Sequence, residues 1–156
     1  KIHVAVNTKA REILALEEVT DEKVHDGKEM KALVERVLER NKGFKIKTVL
    51  ADGAYGSNGN FKCLQEKKIR PGIKVRKNSI ITCKNSKTRN GEVRNQTRDL
   101  LKWKRKRGYG QRRVAETAFS SIKRTYREHV SATKFQNMVK DMMMKVYLYN
   151  LFRKTA

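Results

Sequence analysis

Apolar residues alternate with polar ones at the start of the chain, recur at three-and-four spacing in several later stretches, and lose all period in between. Ile2, Val4 and Val6 alternate with His3 and Ala5, and Ile13, Leu14 and Leu16 follow a polar turn at 7–11. A period of two is what a strand with one buried face requires, so two antiparallel strands are expected over roughly 1–7 and 12–19. Met30, Leu33, Val34, Val37 and Leu38 then mark one face of a helix. Asp26 and Glu29 would open it as a capping box, and Asn41 and Gly43 would close it.

Ile46 to Ala51 is a short apolar run ending at Asp52, which predicts a buried strand. Ser57 is placed to cap a second helix with Phe61 and Leu64 on its inner face. Arg70-Pro71-Gly72 reads as punctuation, and Ile73-Lys74-Val75-Arg76 as a strand with alternating faces. The order β-β-α-β-α-β predicts a mixed α/β fold. From about 78 to 108 there is little periodicity and much Lys, Arg, Asn, Ser and Thr, which predicts a basic loop insertion with a short helical piece near 93–103. A helix from Gln111 to Tyr126 is expected to bury Ala115, Ala118, Phe119, Ile122 and Tyr126. Thr133 and Gln136 would form a second capping box. It would open a C-terminal helix packing Phe135, Met138, Val139, Met142, Val146 and Phe152, with its methionines as core filler. The chain is long enough for one domain over 1–156.

Charge changes the picture. The net charge is +22, and residues 67–127 supply most of it, with 21 Lys/Arg against Glu92, Asp99 and Glu116 alone. Residues 1–66 nearly balance, with 12 Lys/Arg and 11 Asp/Glu. So local a surplus points to a polyanion, most commonly DNA or RNA. A ribosome-associated protein, or the bias of a basic proteome, would account for the total but less well for its placement. Cys63 and Cys83 are too few for a disulfide framework, and with His3, His25 and His129 they show no zinc-ligand spacing. Reduced, structural thiols and a cytoplasmic, nucleoid-associated location are expected. No apolar run is long enough to span a bilayer, and Lys1-Ile2-His3-Val4 runs into a strand pattern rather than a signal peptide.

Two carboxylates carry candidate chemistry. Asp52 closes an apolar strand ahead of Gly53-Ala54-Tyr55, where an α/β fold places ligands; it is also a common turn opener. Glu116 is the sole acid between 100 and 127, among Arg112, Arg113, Lys123, Arg124 and Arg127. It can be read as a site residue, partly buried at the edge of the apolar stripe, or as the partner of Arg112 in an i, i+4 ion pair. The run Lys102-Trp103-Lys104-Arg105-Lys106-Arg107 is the expected DNA-contacting element, joined by Arg113 and Arg124. Trp103 either stacks on an exposed base or plugs a small satellite core.

Tyr109-x2-Arg112-x3-Glu116-x6-Lys123 resembles the Y-R-E-K signature of prokaryotic insertion-sequence DDE transposases. Leu50-Ala51-Asp52-Gly53-Ala54-Tyr55 is similar to the strand that delivers their second catalytic Asp. Lys1 to Val6 and Val24-His25-Asp26 are similar to further blocks in the same order. The resemblance implies a ribonuclease-H-like mixed sheet flanked by helices. It implies two-metal phosphoryl transfer with Mg²⁺ or Mn²⁺, which cleaves double-stranded DNA at transposon ends and joins it to target DNA. Asp52 and Glu116 would be the second and third metal-binding carboxylates. Arg112 and Lys123 would contact phosphates, and Tyr109 would position the DNA end. It also implies a homodimer, although no dimer seam is legible, and no membrane association.

The pattern departs from the family where the first Asp belongs, on a central strand expected ahead of Lys1. Asn7 and Gly56 stand where relatives often carry Asp. The chain is therefore read as a partial catalytic domain that lacks its first, central strand and does not transpose DNA as it stands. Robust Mg²⁺-dependent strand transfer by the purified chain would overturn that. Two rivals remain: a non-catalytic nucleic-acid-binding protein with structural acids, and a standalone nuclease of the same fold, which would nick plasmid in Mn²⁺.

Overall fold

Asn7 closes the first hairpin. Its side-chain oxygen accepts from the amides of Lys9 and Ala10 at 3.0 and 3.3 Å, and Arg11 takes a left-handed conformation to bring the chain back. The computed structural model describes residues 2–18, 26–43, 45–127, 129–130 and 132–155. Strands β1 (Ile2–Val6) and β2 (Ile13–Glu18) pair antiparallel, with Val4 opposite Leu16 and a bulge after Ala5. The two expected strands therefore form, but in β1 it is His3 that is buried, while Ile2, Val4 and Val6 are half-buried. Val24 and His25 lie outside the described residues.

Helix α1 (Glu29–Arg40) buries Met30, Leu33, Val34 and Val37, and Leu38 packs beside them. Its start departs from the expected capping box. Asp26 opens a 3-10 turn over Asp26–Lys28, so Lys28 becomes the N-cap and bonds no amide through its side chain. Strand β3 (Thr48–Ala51) leads to Asp52, and α2 (Asn58–Glu66) starts at Ser57, whose hydroxyl accepts from the Asn60 amide at 3.2 Å.

Arg70-Pro71-Gly72 is strand rather than punctuation: β4 (Arg70–Ile73) runs parallel to β3. Arg70 N–H donates to Lys47 O and Lys74 N–H to Ala51 O, so the two-residue period leaves Pro71's missing donor on the side away from β3. Gly72 suits a close approach. A Cβ there would press on the Leu50 side chain and lie 3.2 Å from Val49 O. Phe61, Leu64 and Ile73 are fully buried at the centre of the core these elements share with α1.

The expected basic loop is largely helical. Ser86 caps α3 (Lys87–Arg98), and Asp99 caps α4 (Leu100–Arg107), which ends at Gly108 in the left-handed conformation. These helices escape a hydrophobicity reading because α3 buries Glu92, Val93 and Gln96, two of them polar. Gln96 spans the end of β4, accepting from Val75 N–H at 3.0 Å and donating to Ile73 O at 2.9 Å.

The helix expected from Gln111 begins as a 3-10 turn over Tyr109–Arg112 and becomes α5 over Arg113–Tyr126. Helix α6 (Phe135–Thr155) follows, with Lys134 rather than Thr133 supplying the first carbonyl, to the amides of Asn137 and Met138. Its expected core is only partly a core. Val146 packs with Tyr149 against Ile13, Ala118 and Ile122, but Phe135, Met138 and Phe152 are exposed. At 1.5 Å per residue this helix runs roughly 31 Å, while six-residue β2 spans only about 20 Å, so the helix outruns its support. Asn150 fixes the contact by pairing with both backbone groups of Ile13 at 2.8 Å.

The chain divides into two compact units. One comprises Lys1–Glu22 with Arg113–Ala156, and contains the β1–β2 hairpin, α5 and α6. The other is Lys23–Arg112, and contains α1, the β3–β4 sheet, α2, α3 and α4. The division falls inside the Tyr109-to-Lys123 pattern, between Arg112 and Arg113. No helix among the described residues is long and apolar enough to cross a membrane.

Candidate metal centre and nucleic-acid interface

Asp52 stands exposed at the C-terminal end of β3. It opens the 3-10 turn Gly53–Tyr55, and its Oδ1 accepts from the Ala54 amide at 2.9 Å. The turn reading and the ligand reading are thus compatible, because a carboxylate that takes one N–H keeps acceptor capacity for a cation. Buried Asn60 fixes this turn from beneath. Its Nδ2 donates to Tyr55 O at 2.9 Å and to Gly27 O at 2.7 Å, tying α2 to the turn and to the segment entering α1. Asn60 was not singled out from sequence. A polar residue on the buried face of a helix, two turns from an apolar strand end, was the available signal.

Also in this unit, the 3-10 turn Tyr109–Arg112 lies against β3. Tyr109 and Arg112 are three apart in a turn of three residues, so their side chains lie one above the other. The Tyr109 ring sits 5.2 Å from Trp103, tilted by 47°. Trp103 is itself buried, its indole N–H donating to Glu92 at 2.5 Å, and Arg107 forms an ion pair with the same carboxylate. Trp103 therefore plugs a small core and supports Tyr109, and in this arrangement it presents no face to a base. Arg107 is likewise engaged within the fold. Lys102, Arg105 and Lys106 are exposed on α4, with Lys104 half-buried.

Glu92 decides how firmly this support holds. Its replacement by Ala would strand the Trp103 N–H and leave the Arg107 charge largely buried without its counter-ion, a change that typically destabilises by about 3–5 kcal/mol. Denaturant unfolding of Glu92→Ala, followed through the emission of the single tryptophan, is expected to show a loss of that order. A loss below about 1 kcal/mol, the usual value of a surface pair, would contradict it.

In the other unit, Glu116 is exposed rather than half-buried. The buried stripe of α5 is centred on Ala118 and Ile122, and at 100° per residue Glu116 falls roughly opposite Ala118. Lys123, Arg113 and Arg124 share with Glu116 a sector of about 100° on that outward face. Lys123 lies over the Phe119 ring, 5.3 Å from its centre. One acid is thus framed by three cations on the solvent side of one helix.

Among the described residues, no group of three or more His, Cys, Asp or Glu side chains is gathered as a metal site. The donor chemistry of Asp52 and Glu116 nonetheless fits a hard divalent cation. Both are exposed carboxylates, and Mg²⁺ commonly takes one or two of these, with water and substrate phosphates completing its shell.

A mixed α/β chain with a carboxylate at the end of a parallel strand and a cationic surplus concentrated in residues 67–127 has the features of a domain that handles a polyanion. The Transposase DDE domain family matches residues 1–151, and the chain belongs to it. This supports an insertion-sequence DDE transposase. The family consists of enzymes of DNA transposition that generally depend on divalent metal. No solved structure matches the chain.

Proposed function

We propose that this chain is part of a transposase catalytic domain built for two-metal phosphoryl transfer, with Asp52 and Glu116 each supplying a carboxylate to divalent metal and the α4 and α5 cations holding DNA. Support for a ribonuclease-H-like arrangement comes from the antiparallel β1–β2 pair and the parallel β3–α2–β4 unit. The observation that carries the reading is the exposed Asp52 carboxylate at the end of β3, pinned by the Ala54 amide beside the turn that bears Tyr109 and Arg112.

Divalent ions, when bound, activate the attacking water or 3′-hydroxyl and stabilise the leaving oxygen. The chain's own residues do the rest. Asp52 and Glu116 supply oxygen ligands, and Arg112 and Lys123 neutralise phosphates approaching them. Tyr109, braced by Trp103, positions the DNA end. Lys102, Lys104, Arg105, Lys106, Arg113 and Arg124 add affinity without sequence preference.

The test is DNA binding measured with and without Mn²⁺, by fluorescence anisotropy on a labelled 30-base-pair duplex. Mn²⁺ is expected to tighten binding by the unaltered chain, and not by Asp52→Asn or Glu116→Gln. Equal, metal-indifferent binding by all three would leave a polyanion binder with structural acids.

A further inference from the structure

Between β4 and α3 the chain makes a loop that is held firmly yet displays two isoleucines to solvent. Ile80 is 68% exposed and Ile81 47% exposed. Single exposed apolar residues are ordinary, but an adjacent β-branched pair at a loop tip is not explained by the core, because neither residue packs into it. Nor is the loop slack. Asn85 Nδ2 and Arg89 Nη1 both donate to Ile80 O, at 3.2 and 3.4 Å, and Asn90 Nδ2 donates to Thr82 O at 2.7 Å.

The same loop is fastened beside Asp52. Asn58 accepts from Ser86 N–H at 2.7 Å and donates to Lys84 O at 3.3 Å, and Arg89 Nε donates to Gly56 O at 3.4 Å. Lys74 O is close enough to Gly53 that a Cβ there would meet it at 3.2 Å. Flanking the isoleucines in sequence are Arg76, Lys77, Lys84 and Lys87, all exposed, and no acid occurs from 67 to 91. An apolar loop flanked by cations, with no acid in its stretch of sequence, complements one partner above others. Phosphates flank a stack of apolar bases in duplex DNA, and apolar side chains are known to enter between base steps and unstack them.

We infer that Ile80 and Ile81 form a wedge that enters double-stranded DNA next to the Asp52 site, opening a base step while Arg76, Lys77, Lys84 and Lys87 grip the flanking phosphates. This rests on the DNA-processing reading and adds to it a residue pair that distorts the duplex. Rigidity matters to the assignment. A loop prefixed by Asn58, Asn85, Arg89 and Asn90 loses little conformational entropy on insertion, so more of the contact energy is available to unstack the bases.

Wedge insertion unwinds the helix, and closed circular DNA records unwinding regardless of sequence. A plasmid is relaxed by a metal-independent topoisomerase in EDTA, with each protein at a concentration giving equal occupancy by anisotropy. After removal of protein, the topoisomers are resolved on a gel. The unaltered chain is expected to shift the distribution, Ile80→Ser/Ile81→Ser to leave it where the protein-free control lies, and Ile80→Leu/Ile81→Leu to restore the shift. A serine variant that shifts the topoisomers as far as the unaltered chain overturns the wedge while leaving DNA binding intact. So does an unaltered chain that binds and produces no shift. A serine variant that cannot bind the plasmid at all makes the pair an affinity determinant and also overturns it. An unaltered chain that does not bind DNA removes the underlying reading as well.

Discussion

Asp52→Asn is expected to abolish the divalent-metal binding proposed for the chain while leaving the fold almost unchanged. The side chain has two separable roles. Its Oδ1 accepts the Ala54 amide and opens the 3-10 turn, and asparagine performs that role about as well as aspartate. What asparagine removes is the negative charge and most of the affinity for a hard cation. Removing even an outer-shell partner of a metal ligand typically loses about 10–100-fold in affinity, so loss of a ligand's charge should exceed that. Mn²⁺ titration followed by electron paramagnetic resonance reads the affinity, and thermal unfolding checks the fold. Unchanged Mn²⁺ binding, or a collapse in stability without a metal effect, would assign Asp52 to the turn alone.

A second large effect is expected from salt. The cations stand exposed on the Ile80 loop, on α4 and on the outward face of α5, and residues 67–127 hold 21 Lys/Arg in all. If about six to ten of them meet phosphates, affinity for duplex DNA should fall by roughly 10³–10⁵ between 50 and 200 mM salt. The log–log slope of affinity against salt should be steeper than about −5. Lys102→Ala or Arg105→Ala should each lessen the slope by about one unit. Arg107→Ala should change it little, because that guanidinium is committed to Glu92. A slope near −1 would mean that the cationic surplus is not a nucleic-acid surface.

How much of this was legible before the structure depended on what each element buries. Helices α1 and α2 bury periodic apolar residues, and they and the hairpin stand close to where the pattern puts them. Helices α3 and α4 were foreseen only as one short helical piece near 93–103, because α3 buries polar groups, Glu92 and Gln96, whose value comes from the Trp103 and β4 groups they satisfy. No hydrophobic period can report that. Ser86, Asp99 and Gly108 were nonetheless readable as caps. Pro71 misled because proline stops a central strand but not one whose donor faces away from the ladder.

The ends of α6 misled differently. A helix apolar on most faces does not say which of them, or how much of its length, will find a partner. For the candidate site, residue types and spacing were legible, whereas their setting was not. Glu116 is exposed because, of the expected stripe of α5, only Ala118 and Ile122 are fully buried, while Ala115 and Phe119, on the side nearer Glu116, are half-buried. Trp103 is occupied because Glu92, eleven residues earlier, comes back to meet it.

Mn²⁺ affinity of the unaltered chain, Asp52→Asn and Glu116→Gln tests the central claim most directly. Each change removes the charge of a proposed metal ligand and is expected to weaken Mn²⁺ binding by more than about 10–100-fold. Binding left unchanged by both would mean that the two acids are structural.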